Sequence, residues 1–285
     1  MRSVAKWLLL GWVALAISPS LWSQAGGAEG GRGQAGRGPQ LPPNMFAAGV
    51  PKMTNPPGPA PKHDLNGAWI GPLMSARVEW PPLTPAGQAA MKENHPESAV
   101  TLAATNDPFA TCDPLGLSRG IAAHALINKE GVWFHEASGQ MVLLQQYQRV
   151  WRNVWTDGRP LPTNIAKRGG PDATFYGTSV GHWDGDTTFV IDTTGVDDRT
   201  WLDENGHPHT TDAHYQERYT RVDQYTIQMS MTIDDPKYYT KPIEFLKSTY
   251  YWMKDQDFPE AICVPSEAIA YRESLAKPAG TGGKQ

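Results

Sequence analysis

Two cysteines in 285 residues are too few for a four-thiolate zinc site or a disulfide-dense scaffold. Charge is scarce too. Charged residues make up 19%, the formal net charge is −4, and no run of Lys or Arg occurs, which excludes the basic footprint of a nucleic-acid-binding protein. Beyond the N-terminus, no stretch approaches the ~20 apolar residues of a transmembrane helix. Phosphate-cradling and dinucleotide glycine motifs are absent, because the glycine-rich run near the start follows no strand and opens no helix. The segment Gly181-His182-Trp183-Asp184-Gly185 is no nucleophile elbow. Asp184, Asp186 and Asp192 do not follow the calcium-loop spacing, and Asp184-Gly185-Asp186 is first of all a turn.

What the chain has in quantity is glycine (28), proline (25), tryptophan (11) and tyrosine (10). The first two concentrate outside one aromatic-rich region. Residues 1–25 read as a secretory signal: Arg2 and Lys6 are followed by the apolar stretch Trp7–Ile17, Pro19 and small residues at Ser23 and Ala25. Residues 26–62 form a Gly/Pro-rich linker that lacks the apolar surface to order itself. A single domain is expected over 63–276, and 277–285 is a tail of the same kind as the linker. The protein is thus expected to be periplasmic or secreted, without a transmembrane segment once the signal is removed.

Strand signals dominate the domain. Thr226–Asp234 alternates strictly, with Ile227, Met229, Met231 and Ile233 on one face. Asp184-Gly185 and Asp157-Gly158 are hairpin or strand-end turns, and Ser138-Gly139 separates two further strands. Helix is indicated only at Thr84–Lys92, which has a cap and a proline at its first turn, and at Pro265–Tyr271. Seven or eight antiparallel strands must hide their edges, and closing into a barrel does so. The expected fold is mainly β, an antiparallel barrel with one or two short helices, the alternative being a two-sheet β-sandwich. The opening Gly67-Ala68-Trp69 resembles the first strand of lipocalin-like barrels, which implies that Trp69 plugs a closed end.

A broader resemblance rests on Trp80–Pro85, Asn106–Pro108, Cys112–Gly116, Trp155–Arg159, Tyr176–Thr187, Asp198–Asp203, Glu217–Asp223, Thr232–Pro236 and Cys263–Glu267. Together they are similar to a family of uncharacterised exported bacterial proteins. The resemblance spans nearly the whole domain. It implies an exported single domain and names no substrate.

In an oxidising compartment the lone pair Cys112 and Cys263 is expected to form a disulfide, with a reactive thiol beside His124 or Arg119 as the alternative. The densest polar cluster is His207, His209, Asp212 and His214, followed by Glu217 and Arg218. Three readings stay open there. The four residues could hold Zn²⁺ or a similar ion. His209 and Glu217 could act as an acid–base pair, with Arg199 or Arg218 holding an anion. Or the loop is merely solvated, with Glu217 and Arg218 as ordinary cross-strand partners. Arg199 with Asp198 or Asp203 also reads as a loop-fixing ion pair.

Tyr215, Glu217, Tyr219 and Arg221 share one strand face. Trp151, Trp155, Tyr176, Trp201 and Tyr219 are candidate walls of a ligand cavity. His124 and His135 read as core histidines or cavity liners. The leading expectation is an exported barrel that binds a small apolar or aromatic molecule, with cofactor-free proton transfer of the lyase or isomerase type as a possible activity. A metal-binding protein and a non-catalytic envelope interaction domain are the alternatives. Oligomeric state is not encoded legibly.

Overall fold

The computed structural model describes residues 57–73, 78–123, 131–253, 258 and 260–276. All fall in the unit Phe46–Gln285; the unit Met1–Met45 lies outside them. The signal segment, most of the linker, the C-terminal tail and His124 are therefore outside the described residues as well.

Among these residues nine strands run in chain order: β1 Gly67–Leu73, β2 Gly131–Ala137, β3 Gln140–Gln145, β4 Val150–Trp155, β5 Thr178–Asp184, β6 Thr188–Thr194, β7 His214–Asp223, β8 Thr226–Asp234 and β9 Ile243–Trp252. Each pairs with the next, and β9 returns to β1, closing a barrel. Closure removes the sheet edges and rules out the sandwich. The count exceeds the expected seven or eight. One seam also departs from the antiparallel rule: β4 and β5 run parallel, paired at Val154↔Ser179 and Trp155↔Val180. A parallel pair needs a long crossover rather than a tight turn, and the connection 156–177 supplies it.

The alternation read from β8 holds. Ile227, Met229, Met231 and Ile233 are all buried, and register places them beside Arg221, Tyr219, Glu217 and Tyr215 of β7. The two barrel ends are finished differently. At one, Trp69 is wholly buried, its indole Nε1 donating to Leu65 O at 2.8 Å. The Arg221 guanidinium lies 4.9 Å from the Trp69 ring centroid and donates to the carbonyls of Asp64 (2.7 Å) and Gln224 (2.8 Å). The end of the linker joins here, where Gln224 N donates to Gly58 O.

At the opposite end of β7, the connection 195–213 folds over the barrel and buries Trp201, Leu202 and His209. Helix α2 (Leu117–Ala123) docks there, with Ser118 Oγ donating to Leu202 O at 3.2 Å. Neither α2 nor the short 3-10 turn Pro108–Thr111 was legible in the sequence. Seven residues containing Ser118 and Gly120 are too short for helical periodicity. Leu117 and Ile121, both buried in the main core, hold α2 through tertiary packing instead. The two helices that were read are α1 (Pro85–Glu93), capped by Thr84, and α3 (Pro265–Ala276).

Cys112 and Cys263 form a disulfide with Cα atoms 5.5 Å apart. The alternative of a reactive thiol is thereby excluded. His135 is exposed on β2 rather than buried, because its strand face points away from the barrel.

Candidate functional site

The barrel interior is not a hydrocarbon core alone. Arg152 on β4 and Glu217 on β7 are buried and meet head-on. Nη2 donates to Oε1 at 2.6 Å and Nη1 to Oε2 at 3.0 Å. Because β5 and β6 lie between β4 and β7 in the barrel order, the pair reaches across the interior. Its remaining hydrogen-bonding capacity is matched locally. Arg152 also donates to Ser179 Oγ (3.2 and 3.0 Å) and Thr193 Oγ1 (2.9 Å), and Tyr219 Oη donates to Glu217 Oε2 (2.9 Å). Burial works against the Arg152 charge more than any other single influence, yet the Glu217 carboxylate beside it holds the guanidinium above its usual pKa. Burial, then the Glu217 charge, drives the Tyr219 phenol well above its ordinary value.

Toward the end covered by 195–213 the next inward residue of β7 is Tyr215, paired with Thr193 and Ile233. Tyr215 is wholly buried, and its hydroxyl has no hydrogen-bond partner among the described residues. Burial, reinforced by the charge of Asp235, pushes this phenol far up, so it stays neutral and able to donate. The His209 ring stands edge-on to it, centroids 6.0 Å apart. His209 Nε2 pairs with Thr200 Oγ1 at 2.9 Å, and Nδ1 lies 3.2 Å from Thr210 O. Burial lowers its pKa, which keeps the imidazole neutral near pH 7. Asp235 fixes Thr210 through its backbone N–H (2.7 Å) and hydroxyl (3.1 Å).

Two residues along, His207 Nδ1 sits 2.9 Å from both oxygens of Asp203, and its ring stacks on Trp80 at 3.6 Å. Asp203 also accepts from the backbone N–H of Asn205 and of His207, so it organises the loop as well as the ring. Although burial opposes it, the hydrogen bond from His207 brings the Asp203 pKa below the usual carboxylate range.

The structure thus disperses the cluster seen in the sequence. His207 goes to Asp203, His209 to Thr200, His214 to Asp192 (3.0 Å) and the exposed Asp212 to Lys167. Among the described residues no group of three potential ligands converges. Neither is the acid–base pair assembled: Glu217 is held by Arg152 and Tyr219, while His209 is held by the loop. Alternation sends Arg218 to the outer face, where it pairs with Asp184, and Arg199 is exposed and paired with Asp197. That second pair is a loop-fixing ion pair, with Asp197 as partner rather than Asp198 or Asp203.

Of the candidate cavity walls, Tyr219 faces the interior and Trp201 is buried in the 195–213 connection, 5.7 Å from the Arg119 guanidinium. Trp151 points outward, 69% exposed. Trp155 is half-buried under Arg159 at 3.7 Å. Tyr176 is half-buried, its phenol pushed up to about 12 by burial and then by Tyr147.

Arg152, Ser179 and Thr193 were missed in the sequence reading. One signal existed: Arg152 shares a strand face with Val150 and Val154, and a lone charge on an apolar face requires a buried partner. Comparison with protein-family models, curated proteins and solved structures gives no match.

Proposed function

We propose that the protein is an exported barrel that binds a small, largely apolar or aromatic molecule at the end of the interior covered by 195–213, with Tyr215 Oη as its polar anchor. One observation carries this reading. The Arg152–Glu217 network is internally paired, whereas Tyr215 offers a neutral, wholly buried hydroxyl with no described partner. Buried polar groups are almost always hydrogen-bonded, so such an orphan points to a group the chain itself does not supply. Ile233 and Ile243, buried beside Tyr215 in register, and the edge-on His209 ring supply apolar surroundings of the kind such pockets use. Export is supported by the signal-like N-terminus together with the disulfide. Proton transfer by His209 and Glu217 is not part of the proposal, since Glu217 is committed to Arg152.

The test is Tyr215→Phe in oxidised protein, screened by tryptophan fluorescence against phenols, aromatic acids and aliphatic alcohols. Without ligand the variant should equal or exceed the parent in stability, by up to about 1–3 kcal/mol, because a desolvated hydroxyl without a partner is removed. Any compound anchored by the hydroxyl should bind at least about fivefold more weakly to the variant. A loss of stability of about 1 kcal/mol or more in the unliganded variant would show a hydroxyl already satisfied, and would overturn the reading.

A further inference from the structure

A pocket of about 190 Å³ lies at the β3–β4 hairpin, bounded among others by Trp133, Leu144, Val150, Phe258 and Arg149. It is separate from the Tyr215 region and does not depend on the reading given above. Trp133, Leu144 and Trp151 are cross-strand neighbours on β2, β3 and β4, all large, apolar and exposed on the outer face. Phe258 stands edge-on to Trp133, with ring centroids 6.4 Å apart. It is seated against Gly131, where a Cβ would come within 2.3 Å of its ring. The two rings in contact, with Leu144 and Val150, thus form an apolar wall of the pocket.

The cation beside this pocket is held in an unusual way. Gln148 and Arg149, in the four-residue loop 146–149 between β3 and β4, have φ of +57° and +49°, a left-handed conformation that favours Gly and Asn. Side chains of this size adopt it only when the surroundings enforce it. Here the segment strapped on by the disulfide does so. Gln148 N donates to Ala261 O (2.8 Å), Cys263 N donates to Gln148 Oε1 (3.2 Å), and Cys263 is bonded to Cys112. The Arg149 guanidinium makes no hydrogen bond to a described residue. Among the described residues its carboxylate neighbour is Glu260, at 3.6 Å, and both side chains are exposed. That separation is beyond hydrogen-bonding distance, so no described carboxylate engages the planar donor fork, whose geometry suits a ligand carboxylate.

We propose that this pocket binds small planar aromatic carboxylates, with the ring lying against the apolar surface of Trp133, Leu144 and Phe258 and the carboxylate on Arg149. Glu260 is then a competitor for the same guanidinium.

Isothermal titration of the oxidised full domain with 2-naphthoate, and with 2-naphthylmethanol as its uncharged counterpart, tests this. Saturable one-to-one binding of 2-naphthoate is expected. Arg149→Gln should weaken it about tenfold while changing 2-naphthylmethanol binding less than twofold. Glu260→Gln should tighten 2-naphthoate two- to fivefold, a gain that a merely damaged protein would not show. Both positions are exposed, so neither variant threatens folding. Tyr215→Phe should leave 2-naphthoate affinity unchanged, which separates this site from the barrel interior. Absence of binding, or equal affinity in parent and Arg149→Gln, would overturn the proposal.

Discussion

Breaking the Arg152–Glu217 pair from one side should damage the protein far more than removing both partners. Glu217→Gln keeps the shape of the side chain but removes its charge. Arg152, which is buried, then loses the charge-assisted pair of 2.6 and 3.0 Å. One bond can survive as a neutral bond to the amide oxygen, the amide NH2 opposes the other guanidinium N–H, and only the hydroxyls of Ser179 and Thr193 remain as before. An uncompensated buried charge of this kind costs about 3–5 kcal/mol. For a domain of this size that corresponds to a fall in Tm of roughly 6–20 °C. Arg152→Met should cost a similar amount, since it strands the carboxylate. The double variant Arg152→Met with Glu217→Leu removes both desolvation penalties and should recover at least half of either loss.

Recovery stays incomplete because Tyr219 Oη loses its acceptor. Adding Tyr219→Phe should restore most of the remainder, about 1–3 kcal/mol. Ser179 and Thr193 need no such remedy, as their hydroxyls lie 2.8 Å apart and bond each other. Urea unfolding of the oxidised protein, with midpoints compared at fixed slope, reads all four variants. Single variants within about 1 kcal/mol of the parent, or a double variant no better than the worse single, would refute the reasoning.

Two histidines should tilt the pH dependence of stability in opposite directions. His214 is raised by its hydrogen bond to Asp192, so its contribution is complete below the usual imidazole value of about 6.5 and fades as pH rises through the higher folded value. The pair is partly exposed, which keeps the effect under about 1 kcal/mol; His214→Asn should flatten that part of a urea-midpoint profile. Burial lowers His209. The unfolded chain therefore takes up its proton first, and stability falls as pH drops below about 6.5. His209→Asn should abolish that acid limb; an unchanged limb would show that another group causes it. The disulfide joins residues 151 positions apart, and in the chain-entropy model its loss destabilises by about 5 kcal/mol at most. Cys112→Ser with Cys263→Ser, unfolded in urea, should show most of that loss. An unshifted midpoint would mean that the unfolded chain is already constrained.

Much of the scaffold was readable because strand signals are local. Strict alternation in Thr226–Asp234 and turns at Asp184-Gly185 and Ser138-Gly139 are properties of short windows. That Tyr215, Glu217, Tyr219 and Arg221 share one face of β7 was equally local, whereas which face turns inward was decided by barrel closure. The parallel seam at β4–β5 was not local. It depends on how the long connection 156–177 returns, which no window of residues reports.

The site divides in the same manner. Glu217 was legible as a candidate acid–base or cross-strand residue, but its partner Arg152 is 65 positions away, and only barrel closure decides that β4 faces β7. The imidazoles of 207–214 looked like one cluster because they are adjacent in sequence. Folded, the 195–213 connection turns His207 toward Asp203 and His209 toward Thr200, while strand pairing at the start of β7 sets His214 against Asp192 of β6. Local periodicity and turn chemistry thus determined, from sequence alone, that the chain makes a mainly β domain, and the lone cysteine pair behind a signal-like N-terminus pointed to its disulfide. Which charges meet inside the barrel, and that Tyr215 is left without a partner, tertiary structure alone decided, because those relations are set by strand register and loop docking between distant segments.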